Sequence, residues 1–541
     1  MNQHEWWRGA VIYQIYPRSF YDANNDGVGD LRGISEKLDY IADLGVDAIW
    51  ISPFFKSPMK DFGYDISDYK AVDPLFGNMD DFDHLLEKAH KLGLKVMIDQ
   101  VLSHTSDQHE WFAESRQNRL NPKADWYVWA DSKADGMPPN NWLSIFGGMG
   151  WKWDSRRQQY YLHNFLSSQP DLNFHNPEVQ KAVLENVEYW LKKGVDGLRL
   201  DAVNFCFHDK FLRDNPAKPI HERNGRGFSP DNPYAYQYHY HNNTQPENLA
   251  FIESLRQLLD KYPGTTALGE ISSEDSIQTM AEYTADNKRL HMAYSFELLT
   301  DDFTVEHISN TVKQLENTMK DGWPCWAISN HDVERVVTRW GKDNASDKQL
   351  AKMLTVLVSS LKGTVCSYQG EELGLEEAYV SFEQLQDPYG IEFWPKFKGR
   401  DGCRTPMPWQ ESESEAGFSD SKPWLPIPAD HRALSVDQQS GDPKSILTFY
   451  QSWMKWRSKQ DILKLGDIEF ISVNESVLCF ERSFEGKTWL VALNLSAEEQ
   501  NFESEAELQA IKLAFDLSQG QKDKNLITLP RYAVYMAEKV S

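Results

Sequence analysis

The sequence predicts an α/β fold: a (β/α)8 TIM barrel with an inserted domain after the third strand and a C-terminal antiparallel β-domain. Three observations lead there. Eight short apolar or β-branched runs recur before residue 370 of the 541-residue chain, and most are followed by a helical pattern. One connection, from Leu102 to about Asn173, is far too long for an ordinary strand-to-helix loop. From about Ile462 the pattern changes to short alternating segments joined by turns.

The eight runs cover 11–17, 47–53, 95–101, 197–203, 265–271, 291–298, 323–330 and 365–369. A helix is expected over 80–92, behind the cap-forming Asn78. Another is expected over 176–193, with Pro177 at its first position and Gly194 just past its end. Strands that alternate with helices build parallel βαβ units, and eight such units suggest closure into a barrel rather than an open sheet. The barrel is expected to take residues 1–102 and 174–461. The insert, 103–173, is rich in Trp, Asn, Pro and Gly. A further excursion runs from Glu371 to about Ser435. The segments 476–484 and 487–495 belong to the C-terminal domain, 462–541.

Composition narrows the function. The formal net charge of −25 repels phosphate backbones and argues against nucleic-acid partners. Aromatic residues make up 13%, including 19 Trp, which suits flat rings against sugar faces as well as a large core. Cys206, Cys325, Cys366, Cys403 and Cys479 are odd in number and show no CxxC spacing, so buried free thiols in a reducing compartment are expected. No run approaches 18 apolar residues, and the N-terminus has no basic and then apolar leader pattern. A cytoplasmic protein with no membrane partner is the expectation.

The active site of such a barrel lies at the C-terminal ends of its strands. Strand three ends in DQVLSH, giving Asp99 and His104. Strand four ends in GLRLDAVN, giving Arg199 and Asp201. Strand five ends in GEI, giving Glu270, and strand seven in SNHD, giving His331 and Asp332. A single strand-end acid often only caps or pairs; so many charged groups on one rim point to chemistry. Paired carboxylates suit glycoside cleavage, in which one protonates the leaving oxygen and the other attacks or stabilises the sugar centre. Arg199 and Asp201 point to the same face of a strand, so the arginine is expected to hold Asp201 ionised. Burial and neighbouring anions are expected to raise the pKa of Glu270.

These motifs resemble the α-amylase family, glycoside hydrolase family 13. The opening WWRGAVIYQIYPRSFYDANNDGVGDLRGI, the stretches GYDISDY and QPDLN, and the block GRDGCRTPMPW are similar to its α-glucosidase and oligo-1,6-glucosidase branch. The resemblance implies that Asp201 is the nucleophile, Glu270 the acid/base, and Asp332 the carboxylate that grips sugar hydroxyls. It places His104, Arg199 and His331 around the first glucose and Tyr64 beneath it. Asp65 and Arg400 are implied as a charged pair closing the pocket, with Phe146 and Phe165 at its mouth. The implied activity is retaining, exo-acting α-glucosidase action on short, maltose-type oligosaccharides, with transfer to sugar or alcohol acceptors. The alternatives are an oligo-1,6-glucosidase and a sucrose isomerase or trehalose synthase-like transglucosidase. The charged RLDRD-type stretch of sucrose isomerases is missing before SNHD. Heavy-chain subunits of amino-acid transporters resemble the same barrel but act as scaffolds, whereas here the catalytic set is intact.

Two further expectations concern metals and linkage. Asp22, Asn24, Asp26, Val28 and Asp30 alternate around a turn glycine, as in the first part of an EF-hand loop, although Gly33 stands where its last ligand would be. The resemblance favours one structural Ca²⁺ or Mg²⁺ there, through the Val28 carbonyl and the four side chains, and no organic cofactor. Ser103 replaces the asparagine that many α-amylases place before the histidine to bind a second calcium, so that second site is not expected. Ala202 follows the nucleophile. The branch resemblance puts Val there in oligo-1,6-glucosidases and Ala or Thr in enzymes that prefer α-1,4 bonds.

Overall fold

In a computed structural model, residues 5–223, 228 and 231–540 are described. Eight parallel strands close into a barrel in simple sequence order. They are β1 (Val11–Ile15), β2 (Ala48–Ile51), β3 (Lys95–Val101), β4 (Gly197–Asp201), β5 (Thr266–Ile271), β6 (Met292–Ser295), β7 (Trp323–Ala327) and β8 (Thr364–Tyr368). Seven of the eight expected runs contain one of them, and the run at 365–369 overlaps β8, which starts one residue earlier at Thr364. The runs at 291–298 and 323–330 overreach, because their last residues belong to loops.

Helices cover the barrel for local reasons. Met79–Lys91 starts from a capping box, with the Asn78 side chain accepting from backbone N–H groups and Asp81 reaching back to the cap. Phe82, Leu85, Leu86 and Ala89, spaced three and four apart, form its buried face. Pro177–Lys193 is capped by Asn176 and ended by Gly194, whose φ of 99° closes the last turn. One core fills the space between strands and helices. A second fills the barrel itself, with Ile12, Trp50, Met97, Leu268, Met292 and Tyr294. All five cysteines are free and buried. Among the described residues no helix is long and apolar enough to cross a membrane.

Three excursions surround the C-terminal rim. The first carries a three-stranded antiparallel sheet of Trp129–Ala130, Gln159–Leu162 and Trp151–Asp154, and is tied at its ends by the bridges His104↔Asp171 and Tyr127↔Leu172. The second lies between β4 and helix Asn248–Leu259, and its described residues form short 3-10 turns and the bridge Ala217↔Gln237. The third follows β8. At the far end of the chain, antiparallel strands from Asp467–Ile471 to Val534–Lys539 form a five-stranded and a three-stranded sheet.

Candidate active site

Barrel register brings the rim residues together. Asp99 on β3 lies beside Arg199 on β4, Val101 beside Asp201, and Glu270 on β5 beside Tyr294 on β6. Arg199 is fully buried and forms the hub. Its Nη1 donates to Asp201 Oδ1 at 2.7 Å and Asp99 Oδ1 at 3.0 Å. Its Nη2 donates to Glu270 Oε1 and, at 2.8 Å, to the Tyr294 hydroxyl oxygen. Tyr294 passes its own proton towards Glu270 Oε1 at 2.9 Å, and the Ala202 N–H donates to Glu270 Oε2 at 3.1 Å. The guanidinium also lies 4.8 Å from the Trp50 ring centre. One buried cation therefore serves three carboxylates.

The electrostatics follow from that imbalance. Burial, opposed by Arg199, pushes Glu270 up to about 7, as expected for an acid/base group. Burial also raises Asp99 and Asp201, and Arg199 pulls both down without cancelling the effect. The expectation that Arg199 keeps Asp201 in the ordinary carboxylate range is thus only half met: the arginine acts in the right direction, but burial outweighs it. Asp332 behaves oppositely. Against burial, the charges beside it (His331 when protonated, Arg400 and Arg404) hold it far below the usual range.

Neutral histidines frame the sugar-sized pocket. Gln14 Nε2 donates to His331 Nδ1 at 2.7 Å, which leaves His331 Nε2 protonated and donating to the Tyr64 hydroxyl at 2.7 Å. The Tyr64 hydroxyl in turn donates to Asp99 Oδ2 at 3.1 Å, and the Tyr64 and His331 rings are stacked at 5.4 Å. His104 Nε2 donates to the Tyr64 carbonyl at 3.0 Å, while Ser103 Oγ donates to His104 Nδ1 at 3.0 Å. Burial lowers His104 to about 4 and His331 to about 3, so both are neutral at pH 7.

Tyr64, His104, Phe146, Phe165, Asp201, Ala202, Glu270, Asp332 and Arg400 all line one pocket. Arg199 and His331 support it from behind. Phe205, Phe228, Phe296 and Tyr389 complete its apolar wall and were not picked out from the sequence. Ala202 has left the strand: its φ of 39° and ψ of 47° are left-handed, so alternation no longer decides where its methyl points.

One pairing is corrected. Arg400 does not pair with Asp65. Its Nη2 donates to Asp61 Oδ1 at 3.1 Å and Asp387 Oδ1 at 2.8 Å, and its Nη1 to Asp332 Oδ1 at 3.1 Å. Phe62 (φ 50°) and Gly63 (φ 107°) reverse the chain between the two acids. Asp65 therefore turns inward, accepting from Lys60 N, Asp61 N and Ser57 Oγ, while Asp61 faces the pocket.

In the loop at 22–30, side-chain oxygens accept from nearby backbone amides: Asp22 from Asn24, Asn25 and Gly27, Asn24 from Asp26, Asp26 from Val28, and Asp30 from Ala23 and Gly33. Among the described residues, no three acid, histidine or cysteine side chains converge into a metal cluster. The donor chemistry still fits a hard cation. Asp22 and Asp30 are buried, and no lysine or arginine among the described residues pairs with either, or with Asp26.

The model of the alpha-amylase catalytic domain matches residues 14–466. The chain belongs to the α-amylase family. Within that family it falls in the α-glucosidase and oligo-1,6-glucosidase branch, and it is an enzyme. It is 54% identical over 496 residues to a probable alpha-glucosidase of Rhizobium meliloti (strain 1021), with 91% of this chain and 90% of the relative covered. It is 39% identical over 538 residues to an oligo-1,6-glucosidase of Heyndrickxia coagulans, covering 92% and 94%. The crystal structure of an alpha-glucosyl transfer enzyme, XgtA, is similar with a TM-score of 0.97 and 63% identity over 99% of both chains.

Proposed function

We propose that the chain is a retaining, exo-acting α-glucosidase that prefers α-1,4 bonds of short oligosaccharides and also transfers glucosyl units to sugar or alcohol acceptors. The observation that carries this reading is Arg199 binding Asp201 and Glu270 at once, at the base of a pocket whose end is held by Arg400. Two carboxyl groups on one guanidinium favour the spacing of about 5–5.5 Å used by retaining enzymes over the 6.5–9.5 Å of inverting ones.

The residues act in two steps. Asp201 attacks the anomeric carbon while Glu270 gives its proton to the departing glycosidic oxygen. Glu270, now ionised, then takes a proton from water or an acceptor hydroxyl, whose oxygen displaces Asp201. Asp332, ionised throughout, stabilises the positive charge that develops on the ring. The closed end made by Asp61, Arg400 and Asp387 favours a single terminal glucose. The small side chain at Ala202 leaves space for a closely held second sugar, the arrangement of an α-1,4 bond.

A product time course on maltose, isomaltose, sucrose and longer malto-oligosaccharides tests this. Glucose should appear first from maltose and from chain ends, with transfer products at high substrate. Internal cleavage of long chains, or isomerised sucrose as the main product, would refute it.

The 22–30 loop is part of the same proposal. It holds one divalent cation, Ca²⁺ or Mg²⁺, as a structural ion. Buried carboxylates with no cationic side chain beside them among the described residues and hard oxygen donors support this, as does the way the loop ties in a distant segment: Ser419 Oγ donates to Asp22 Oδ2 at 2.6 Å, and Trp424 N to the Gly27 carbonyl at 3.0 Å.

A further inference from the structure

Arg404 closes the GRDGCR stretch but is not part of the pocket wall. Its side chain is completely enclosed. Nη2 donates to Asp332 Oδ1 at 2.9 Å, and Nε donates to the His331 backbone carbonyl at 2.6 Å. The guanidinium lies against the rings of Tyr16 and Phe62, with its centre 5.3 and 5.6 Å from theirs. Nη1 has no protein partner among the described residues.

Burying a guanidinium is costly unless a carboxylate offsets its charge. Among the described residues Asp332 is the single carboxylate that pairs with Arg404. Arg400 is shared between Asp61, Asp332 and Asp387. Arg404 is therefore dedicated to Asp332, whereas Arg400 also has the closed end of the pocket to hold. The fork geometry adds a second function. By gripping the His331 carbonyl and the Asp332 carboxylate together, Arg404 fixes two successive residues in one orientation.

We propose that Arg404 is a positioning residue that anchors Asp332 and the His331 backbone from behind, so that the Asp332 carboxylate meets the sugar ring in its reacting geometry. This rests on the reading of Asp332 as a carboxylate that acts on the sugar. The charged and titratable groups facing Asp332 are Arg199, Asp201 and Glu270 across the pocket, Tyr64 and His331 beside it, Arg400 at the closed end of the pocket, and Arg404 and Cys403 behind. Removing Arg404 takes away one of the positive charges, so ionisation of Asp332 moves up towards the ordinary carboxylate range. Asp201 and Glu270, both raised by burial, still titrate at higher pH and set the limits of activity, so the loss of Arg404 shows in kcat and in ligand affinity rather than in the pH profile.

The experiment compares Arg404→Met, Arg404→Lys and Asp332→Asn on 4-nitrophenyl α-glucoside, with full pH profiles and thermal unfolding. Arg404→Met should lower kcat about 10²–10³-fold with KM within about threefold, because the lost interaction matters most in the transition state. Its pH limbs, set by Asp201 and Glu270, should stay in place. Arg404→Lys should recover about tenfold of the loss, since a point charge replaces the fork only in part. Affinity for a cationic glucose-like iminosugar should weaken at least tenfold more than affinity for glucose in both variants. If Arg404→Met does not fold, Arg404→Lys decides alone: wild-type kcat and iminosugar affinity would overturn the proposal. An equal loss of glucose and iminosugar binding would overturn it too. Full activity in Asp332→Asn would instead refute the underlying role of Asp332.

Discussion

Ala202→Val should move linkage preference from maltose towards isomaltose. Ala202 is nearly buried, lines the pocket, and sits at φ 39°, in the left-handed region that β-branched residues avoid. Two consequences follow. Valine should cost about 1–3 kcal/mol of stability from backbone strain. Its two added methyl groups should also crowd the second sugar of an α-1,4 bond, while the extra CH₂ of an α-1,6 bond carries that sugar outward. Discrimination by one or two methyl groups is worth roughly 1–3 kcal/mol, about 10–200-fold in the ratio of kcat/KM values. The Ala202 N–H binds Glu270, so strain can also slow both substrates together. The ratio is therefore the diagnostic quantity, and Ala202→Gly, which relieves left-handed strain without adding bulk, is the control. Initial rates on maltose and isomaltose at substrate far below KM give the ratio directly. If wild type prefers isomaltose, or the ratio is unchanged in Ala202→Val, this residue does not set the linkage.

Three other predictions are more direct. Glu270→Gln should lose several orders of magnitude in kcat on maltose yet still form the glucosyl-enzyme from substrates with good leaving groups; equal losses on both would show that Glu270 is not the acid. Glu270 is raised to about 7 in the folded protein, above its unfolded value near 4.5. Its neutral form is thus favoured by folding, the stabilisation is present below about pH 4.5, and it is lost as pH rises through 7. Glu270→Gln should accordingly raise Tm more at pH 8.5 than at pH 4.5, and an equal change at both would contradict that shift. Chelation with verified metal removal should lower Tm by linkage and re-addition should restore it, with an unchanged melting curve counting against an ion in the 22–30 loop.

Much of this was legible in the sequence because barrel strands carry two signals at once. Their apolar runs mark where they lie, and the first polar residues after each run mark the rim. Asp201, Glu270 and Asp332 were found that way. The Arg400 partner was not, because Asp61 and Asp65 lie four residues apart and only the turn at Phe62 and Gly63 decides which faces the pocket. Strand alternation says nothing about where the Ala202 methyl points, because the backbone stops being extended there. The wall residues Phe205 and Phe228 come with the excursion after β4, whose Asn, Pro and His-rich sequence has no apolar period to read. Tyr294 and Arg404 were not picked out, since their polar ends act on neighbours brought close only by barrel closure.

The central claim is that Asp201 and Glu270 form a retaining pair. Proton NMR of the first glucose released from maltose, recorded before mutarotation, tests it most directly. Glucose from the cleaved non-reducing unit should appear as the α-anomer and drift to the equilibrium mixture only later; β-glucose as the initial product would contradict the account.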